Sequence, residues 1–299
     1  MTVTVQHIPV MAREVEGLLN LGAGSVYVDC TLGLGGHASL AAGIIGAKGR
    51  IVGIDQDADA IAHAHRRLSG FVGQLDIVKS NFGDIDVVLD RLGIMEVDGV
   101  LLDLGVSSLQ LDDASRGFSY REEALLDMRM DKDAQFSATE LVNSLPEEEL
   151  ADLIWRLGEE RFSRRIARNI VAARSARAIK TTKELSDLVL RSLPRGYQRG
   201  ALHPATRTFQ ALRMAVNREL EVLKKALDTA PRYLKIGGRL VVIAFHSLED
   251  RIVKEKFKEL ARSGSAKILT KKPLRPGDEE VIGNPRSRSA RLRALERIV

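Results

Sequence analysis

The sequence predicts an α/β fold in which a parallel-rich, doubly wound sheet carries an inserted all-helical domain. The first stretch of about 100 residues alternates short apolar runs with helical patterns, and this alternation is typical of βαβ units and a parallel sheet. About 130 residues then separate the run VDGVLLDLG from the next comparable run, GGRLVVIAFHS. Because a βαβ crossover needs only about a dozen residues, a further segment must be inserted in that interval.

The elements of the sheet follow in order along the chain. Four strands are expected at SVYVD, RIVGID, LDIVKS and VDGVLLDLG, with helices that begin near His37 and Ala58 between the first three. A fifth strand is expected at GGRLVVIAFHS, from Gly237. Short apolar runs bounded by helical segments predict strands of a parallel sheet rather than a helical core.

The inserted segment has the pattern of helices. Apolar residues recur near i, i+3 and i+4 in PEEELADLIWRLG, EERFSRRIARNIVAARSA, TTKELSDLVLRSL and the long run ATRTFQALRMAVNRELEVLKKALDTAPRYL. Thr181 or Thr182, ahead of Glu184, supplies a helix cap. We therefore expect a helical substrate-recognition domain over residues 112–212 and an α/β domain over residues 1–111 and 213–299. The last helix is expected to lead back to the sheet.

The composition indicates an ordinary globular protein. The chain has 299 residues, of which 44% are hydrophobic, and its single cysteine, Cys30, excludes an intramolecular disulfide and a Cys-based zinc cluster. His63 and His65 point apart on a helix, so no metal site is expected. The sequence has neither an apolar run near the ~20 residues of a membrane helix nor a signal peptide at its start. We therefore expect a cytoplasmic protein without a membrane partner.

The positive charge is concentrated in one part of the chain. The net charge is only +5, but the segment from Arg156 to Arg213 has 14 Lys and Arg against 4 Asp and Glu. A second basic run, NPRSRSARLRALERIV, closes the sequence. This asymmetry favours a polyanionic partner, and nucleic acid over a membrane, although solvated helical faces would also account for it.

A glycine loop follows the first strand. GLGGHA, Gly33 to Ala38, satisfies the pattern G-x-G-x-x-[GA], and Asp55 ends the next strand at the distance expected for an acid that binds ribose hydroxyls. The pattern alone does not say which ligand is bound. Asp29, beside the loop, would repel a pyrophosphate and attract the ammonium or sulfonium of S-adenosylmethionine. The alternative is that Asp29 caps the amides of the loop.

Two further strand ends carry candidate residues. Asp103 ends the fourth strand, and the carboxyl ends of parallel strands are where open α/β sheets bind ligands. Phe82, in NFGDI after the third strand, could lie against an adenine ring or belong to the core. We expect Asp29, Asp55 and Asp103 to meet in one pocket beside the glycine loop.

The chain resembles the bacterial ribosomal small-subunit RNA cytosine N4-methyltransferases, the RsmH or MraW family. The resemblance covers nearly the whole sequence, in the strings HIPVM, DCTLGLGGH, GIDQDADAI, NFGDI, GVLLDLGVSSLQLDDASRGFSYR, LDMRMD, GEERFSRRIARNIV, HPATRTFQALRMAVNREL, AFHSLEDRIVK and NPRSRSARLRALER. It implies a Rossmann-like class I methyltransferase with S-adenosylmethionine as cofactor. The implied acceptor is N4 of a cytidine in the decoding centre of 16S rRNA, C1402 in conventional rRNA numbering, within the small ribosomal subunit.

The resemblance also implies the cofactor contacts. They are expected in the loop, on the ribose, near the adenine and along the pocket, at Gly35, Gly36, His37, Asp55, Phe82, Asp103 and Gln110. Gly33 and Asp29 join them from the loop pattern and the charge argument above. The sequence leaves open whether the protein is a monomer or a homodimer.

The acceptor amine of cytidine is a poor nucleophile, so a group must accept a hydrogen bond from its N–H. Asp103 is the expected acceptor, directly or through a neighbouring carbonyl, and His246 is a second catalytic candidate that could equally be structural. Many amino-methyltransferases place an aromatic residue after the fourth strand, but DLGVSS has none. Phe245, His246, Phe118 or Tyr120 could face an extruded base instead.

Arginines are the expected contacts to RNA phosphates. Arg207 and Arg213 lie in HPATRTFQALR, and others lie in SRRIARN and in the terminal RSRSARLR. With aromatic residues at only 4% of the chain, charge and shape readout is expected rather than a long stacking platform.

Three other functions are compatible with parts of the sequence. The glycine loop and Asp55 alone would suit an NAD-dependent oxidoreductase. A ribosome-assembly factor could retain a vestigial α/β domain, but Asp29, Gly35, Asp55 and Asp103 are all present. A small-molecule methyltransferase would not need the basic insertion.

Overall fold

The chain forms two compact units. The computed structural model describes residues 8–194, 197 and 203–299. Residues Met1–Ser107 and Leu220–Val299 form one unit, which we call the α/β unit, and Ser108–Glu219 form the other, the helical unit. The functions that the sequence assigns to residues 112–212 and to the flanking segments stay predictions.

The α/β unit is built on a seven-stranded sheet with the order β3-β2-β1-β4-β5-β7-β6. The strands from β1 to β5 pair in parallel, whereas β7 runs antiparallel to both β5 and β6. The expected parallel-rich α/β fold is therefore confirmed. The bounds are β1 Val26–Asp29, β2 Arg50–Asp55, β3 Gln74–Lys79, β4 Val97–Asp103, β5 Leu234–Ala244, β6 Ala266–Ile268 and β7 Arg291–Arg297.

Thirteen α-helices are formed within the described residues. Helices α1 to α4, α12 and α13 belong to the α/β unit, α5 to α10 belong to the helical unit, and α11 begins at the unit boundary. None of the helices in the described part of the chain has the length and apolar character of a membrane span. The bounds are α1 Ala12–Leu19, α2 Gly36–Ile45, α3 Ala58–Arg67, α4 Ile85–Arg91, α5 Ser108–Asp112, α6 Ala138–Ser144, α7 Glu147–Gly158, α8 Ser163–Ala176, α9 Thr182–Ser192, α10 Thr206–Val216, α11 Glu219–Thr229, α12 Ser247–Arg262 and α13 Asp278–Gly283.

Both faces of the sheet are buried. Successive strand residues point to opposite faces, and in β1 Val28 belongs to one hydrophobic cluster and Tyr27 to the other. The same alternation places Val100 in the first cluster and Leu101 in the second. Burial on both faces explains why β1 and β2 are near-continuous apolar runs that change to polar residues only at their ends.

Caps and a break define the helices of the helical unit. Thr181 accepts a hydrogen bond from the N–H of Glu184, which completes a capping box at the start of α9. The long run from Ala205 is not one helix, and that prediction was wrong. α10 ends at Val216, Arg218 has a positive φ of 49°, and α11 begins at Glu219. Asn217 accepts from the N–H of Met130 at 2.8 Å and donates to a nearby carbonyl, and these bonds hold the break in place.

Candidate functional site

The loop after β1 needs glycine at two positions. Gly33 and Gly35 have positive φ values of 50° and 73°, which other residues rarely adopt. Gly35 is the N-cap of α2, and a Cβ there would lie 3.4 Å from the Cβ of Ala64 in α3. The loop therefore turns sharply into α2 while its backbone stays close to α3.

Asp55, the last residue of β2, holds the loop from the next strand. Its Oδ2 accepts from the N–H of Gly33 at 2.7 Å, and its Oδ1 accepts from the N–H of Asp57 at 2.9 Å. Burial raises the pKa of Asp55 to about 6. A carboxylate oxygen can accept more than one hydrogen bond, so Asp55 retains capacity for ligand hydroxyls.

Asp29 is buried at the end of β1, with 1% of its surface exposed. Its Oδ1 accepts from the N–H of Thr31 at 3.3 Å, and burial raises its pKa to about 7. This contact is the loop-capping role that the sequence left open. Attraction of a cationic ligand is compatible with the same position and stays a prediction.

Asp103 and His37 face each other across the loop. His37 Nε2 lies 3.7 Å from Asp103 Oδ2, and the N–H of Asp103 donates to Thr31 Oγ1 at 2.7 Å. The other carboxylate oxygen, Oδ1, is buried and has no hydrogen-bond donor among the residues that the structure describes. Burial, with the charges of Asp29 and Glu249, raises the pKa of Asp103 well above its usual value.

The segment after β3 is fixed by Asn81. Its side chain accepts from the N–H of Gly83 at 3.0 Å and donates to Gln56 Oε1 at 3.1 Å. Phe82 is partly buried and packs against the hydrophobic core. Its place next to the loop of β2 is compatible with both readings that the sequence offered, and an adenine contact stays a prediction.

The segment after β5 lies beside the end of β4. The N–H of Leu104 donates to the carbonyl of Ile243 at 3.0 Å, and a Cβ on Gly105 would lie 3.5 Å from Cδ2 of Phe245. His246 is the N-cap of α12. Phe245 and His246 therefore lie on the same sheet edge as Asp103, where both were predicted.

Three predicted site residues belong to the helical unit. Gln110 is buried there, with 4% exposed. Arg207 is exposed and donates to the carbonyl of Glu159 at 3.1 Å. Arg213 makes a two-pronged ion pair with Glu219, at 2.8 and 2.9 Å, and 17% of its side chain is exposed. Arg213 is therefore held by the fold, which leaves it poorly placed for a phosphate.

The aromatic candidates of the helical unit already have partners. Phe118 is 8% exposed, and the ring of Tyr120 stacks on His203 with centroids 4.4 Å apart. The hydroxyl of Tyr120 lies 3.0 Å from Thr206 Oγ1. Burial of Phe118 and stacking of Tyr120 on His203 make both rings poor candidates for stacking on an extruded base.

The second half of the terminal basic run, Arg291–Arg297, forms strand β7 of the sheet. Arg293 lies on β7 with 6% exposed, and its Nε donates to Asp250 at 2.6 Å. Arg291 is 3.8 Å from the same carboxylate. The expectation that the whole run contacts phosphates is wrong for Arg293, because antiparallel pairing with β5 turns this side chain onto α12.

Sequence reasoning missed Thr31 and Glu249. Thr31 links the loop of β1 to the main chain of Asp103, and no local pattern announces that contact. Glu249 is 2% exposed and completes a capping box with His246. The spacing of three residues was a signal, but it is usually sought after Ser or Thr rather than His.

A sequence profile described as the MraW methylase family matches residues 4–298. The chain belongs to this family. A protein of Syntrophobacter fumaroxidans (strain DSM 10017 / MPOB), named ribosomal RNA small subunit methyltransferase H, is 47% identical over 308 residues, covering 98% of this chain and 97% of that protein. A protein of the same name from Geotalea uraniireducens (strain Rf4) is 49% identical over 307 residues, with 98% of each covered. Among solved structures, fibrillarin of Aeropyrum pernix with S-adenosyl-L-methionine aligns with a TM-score of 0.42 and 12% identity, over 95% of this chain and 72% of that one.

Membership confirms the resemblance stated from the sequence, and with it S-adenosylmethionine as the cofactor of a methylase. The α/β unit fits that molecule chemically. Asp103 Oδ1 is a buried acceptor without a donor in the described part of the chain, and Asp29 lies near enough for its charge to act on it. A ligand with positive charge and hydroxyl donors matches these acids better than a pyrophosphate would.

Proposed function

We propose that this protein transfers a methyl group from S-adenosylmethionine to N4 of a cytidine in 16S rRNA, C1402 in conventional numbering, within the small ribosomal subunit. The observation that carries the proposal is the identity of 47–49% over 98% of the chain to relatives named ribosomal RNA small subunit methyltransferase H. The atom and the nucleotide are supported by the family resemblance of the sequence strings. A cytoplasmic location stays a prediction of the same proposal.

Residues of the α/β unit would hold the cofactor. Gly33, Gly35 and Gly36 bring the main chain close to the ligand, and Asp55 accepts hydrogen bonds from ribose hydroxyls. His37, Phe82, Asp29 and Asp103 complete the contacts on this unit, and Gln110 stays the predicted contact from the helical unit. When bound, the sulfonium supplies an activated methyl group and a neutral leaving group.

The chain's own contribution to methyl transfer is position and charge. Holding the acceptor amine in line, about 3 to 3.5 Å from the methyl carbon, supplies much of the acceleration. Asp103 accepts a hydrogen bond from the N–H of the amine, and its ionised form takes up the proton that the amine loses on methylation. Burial of Asp103 and the nearby charges of Asp29 and Glu249 oppose its ionisation, whereas a cationic ligand favours it.

A group of residues on the helical unit is suited to RNA phosphates. We call it the basic corner: Trp155 and Arg156 at the end of α7, and Arg161, Arg164 and Arg165 around the start of α8. The guanidinium of Arg161 lies 4.8 Å from the ring of Phe162 and 5.0 Å from that of Tyr197. These cation–π contacts hold its charge at the surface.

Most arginines of the basic corner form no ion pair within the described part of the chain. Arg156, Arg164 and Arg165 are exposed, and the described residues give them no carboxylate partner. The first turn of α8 contains no acid, so its arginines lie at the helix end where the dipole disfavours positive charge. Trp155 is 55% exposed beside them. A polyanion with bases that can stack would offset the repulsion and cover the indole.

The deciding experiment is transfer of labelled methyl from S-adenosylmethionine to small ribosomal subunits that lack their native decoding-centre methylations. Wild type and Asp103→Ala are compared, and the labelled nucleoside is identified by mass analysis. We expect N4-methylcytidine with wild type and its loss with Asp103→Ala, while wild type binds S-adenosylhomocysteine. If the protein binds S-adenosylhomocysteine but labels no subunits, the proposed RNA acceptor is wrong. A ribosome-assembly factor would then explain the protein better.

A further inference from the structure

We propose that Glu249 is a positioning residue for methyl transfer, because it holds the imidazole of His246 in one tautomer and fixes the main chain of Phe245. The inference rests on the proposed function and extends it to a residue that does not touch the reacting atoms. Glu249 lies in the first turn of α12, three residues after the N-cap.

Four contacts tie Glu249 to the two residues that follow β5. Its Oε2 accepts from the N–H of Phe245 at 2.8 Å and from the N–H of His246 at 3.3 Å. Its own N–H donates to Nδ1 of His246 at 3.3 Å. Its Oε1 lies 3.1 Å from Nε2 of the same ring. The carboxylate is almost fully buried, so water competes little for these bonds.

These contacts select one form of the imidazole. Nδ1 accepts a hydrogen bond from a main-chain N–H, so it carries no proton, and the ring proton lies on Nε2. Nε2 faces a carboxylate oxygen that favours that proton. Both ring nitrogens therefore lie against Glu249, and the contact at Nδ1 orients the ring of His246. A Ser or Thr at the N-cap would close the helix without this dependence on protonation.

The main chain that Glu249 fixes lies next to the candidate acceptor. β5 pairs with β4 so that Ile243 lies opposite Asp103, and the ring of Phe245 lies over Gly105, two residues after Asp103. A shift of Phe245 would therefore displace the main chain that follows β4.

A simple helix cap is the competing explanation, and Glu249→Gln separates the two. Gln is as acceptable as Glu at this position of a capping box, so the variant should keep the helix. It removes the charge and replaces one carboxylate oxygen by an NH₂ group that cannot accept the proton of His246 or of a main-chain N–H. Glu255→Gln is the matched control, because Glu255 lies on the same helix, is 56% exposed and pairs only with Lys254 and Lys258 in the described structure.

The experiment measures three properties of wild type, Glu249→Gln and Glu255→Gln. Nitrogen-15 NMR of histidine-labelled protein reports the tautomer of His246, calorimetry reports S-adenosylhomocysteine affinity, and methyl transfer to undermethylated small subunits gives kcat and KM. For Glu249→Gln we expect loss of the single Nε2–H form and a fall in kcat of at least about tenfold. Its affinity for S-adenosylhomocysteine and its KM for subunits should change by less than about threefold, and its melting temperature should stay close to that of the control.

Each outcome decides one point. Wild-type kcat in a Glu249→Gln protein overturns the inference, as does a His246 tautomer that the substitution leaves unchanged. A variant that loses cofactor affinity and thermal stability together with kcat also overturns it, because that pattern is structural. If wild type methylates no subunits, the proposed function fails, and the NMR comparison still decides whether Glu249 sets the state of His246.

Discussion

Asp55 Oδ2 accepts a hydrogen bond from the main-chain N–H of Gly33 at 2.7 Å, so the acid that ends β2 holds the glycine loop that follows β1. The same carboxylate is the proposed acceptor for the ribose hydroxyls of the cofactor. The same side chain thus shapes the loop and is proposed to bind the ligand, so its removal should affect both.

Replacing Asp55 with Ala should weaken S-adenosylhomocysteine binding by at least about tenfold, or about 1.4 kcal/mol. The substitution removes the acceptor for the ligand and leaves the N–H of Gly33 without its partner. Titration calorimetry measures the effect, and Glu96→Gln, an exposed acid at the opposite end of β4, is the control. An Asp55→Ala protein with unchanged affinity would show that the ribose lies elsewhere.

The conformation of Gly35 predicts a contrast within one helix. Gly35→Ala should lower the free energy of unfolding by about 1 to 2 kcal/mol, because Ala disfavours the positive φ of 73° at this position. Gly43→Ala, inside α2 with open space around it, should instead stabilise by about 0.5 to 1 kcal/mol. Urea unfolding of both variants tests this, and two substitutions of equal sign would contradict the assigned backbone.

The buried acid Asp29 predicts a pH dependence of stability. Its pKa is raised to about 7 in the folded protein from an unfolded value of about 3.9, so the folded state binds more protons between these values. Its contribution is therefore full below about pH 4 and is lost as the pH rises toward 7. In wild type, the free energy of unfolding should therefore fall as the pH rises from about 5 to 7.5. In Asp29→Asn this fall should be smaller by more than about 1 kcal/mol. Parallel pH profiles for the variant and wild type would exclude a protonated Asp29.

The basic corner predicts a change in the salt dependence of RNA binding. Charge reversal at Arg164 and Arg165 should weaken binding to undermethylated small subunits and to a single-stranded RNA oligonucleotide. The slope of log affinity against log salt should fall by about 1 to 2. Arg67→Glu, on an exposed position of α3 in the α/β unit, is the matched control. An unchanged slope in the double variant would place the phosphates on another surface.

Arg213 should behave as a structural residue. Arg213→Gln leaves Glu219, whose side chain is 10% exposed, without its ion pair and should lower the free energy of unfolding by about 1 to 3 kcal/mol. The salt slope of RNA binding should not change. Arg207→Gln should show the reverse, with a smaller slope and little loss of stability. A slope that falls only for Arg213→Gln would restore it as the phosphate contact.

Much of the fold and part of the site follow from the sequence, because they depend on local physics. Apolar runs that end in an acid predict strands with polar carboxyl ends, and these ends are β1, β2 and β4. The glycine loop is predicted because Gly33 and Gly35 adopt a backbone conformation that few other residues tolerate. The cap at Thr181 is predicted because its partner Glu184 lies three residues away. In each case, the feature depends on residues that are close together in the chain.

Other features depend on contacts between distant segments, and only the tertiary structure decided them. Packing of the sheet and α12 buries Asp103 and brings Asp29 of β1 and Glu249 of α12 near it, and together these effects raise its pKa. Antiparallel pairing of β7 gives Arg293 to Asp250 rather than to a phosphate. Asn217 interrupts a long apolar helical pattern because its amide bonds to the main chain at Met128 and Met130. Hydrophobic periodicity is a property of a few successive residues, whereas the partner of a buried polar group is chosen by whichever remote donor or acceptor the packed chain brings within about 3 Å.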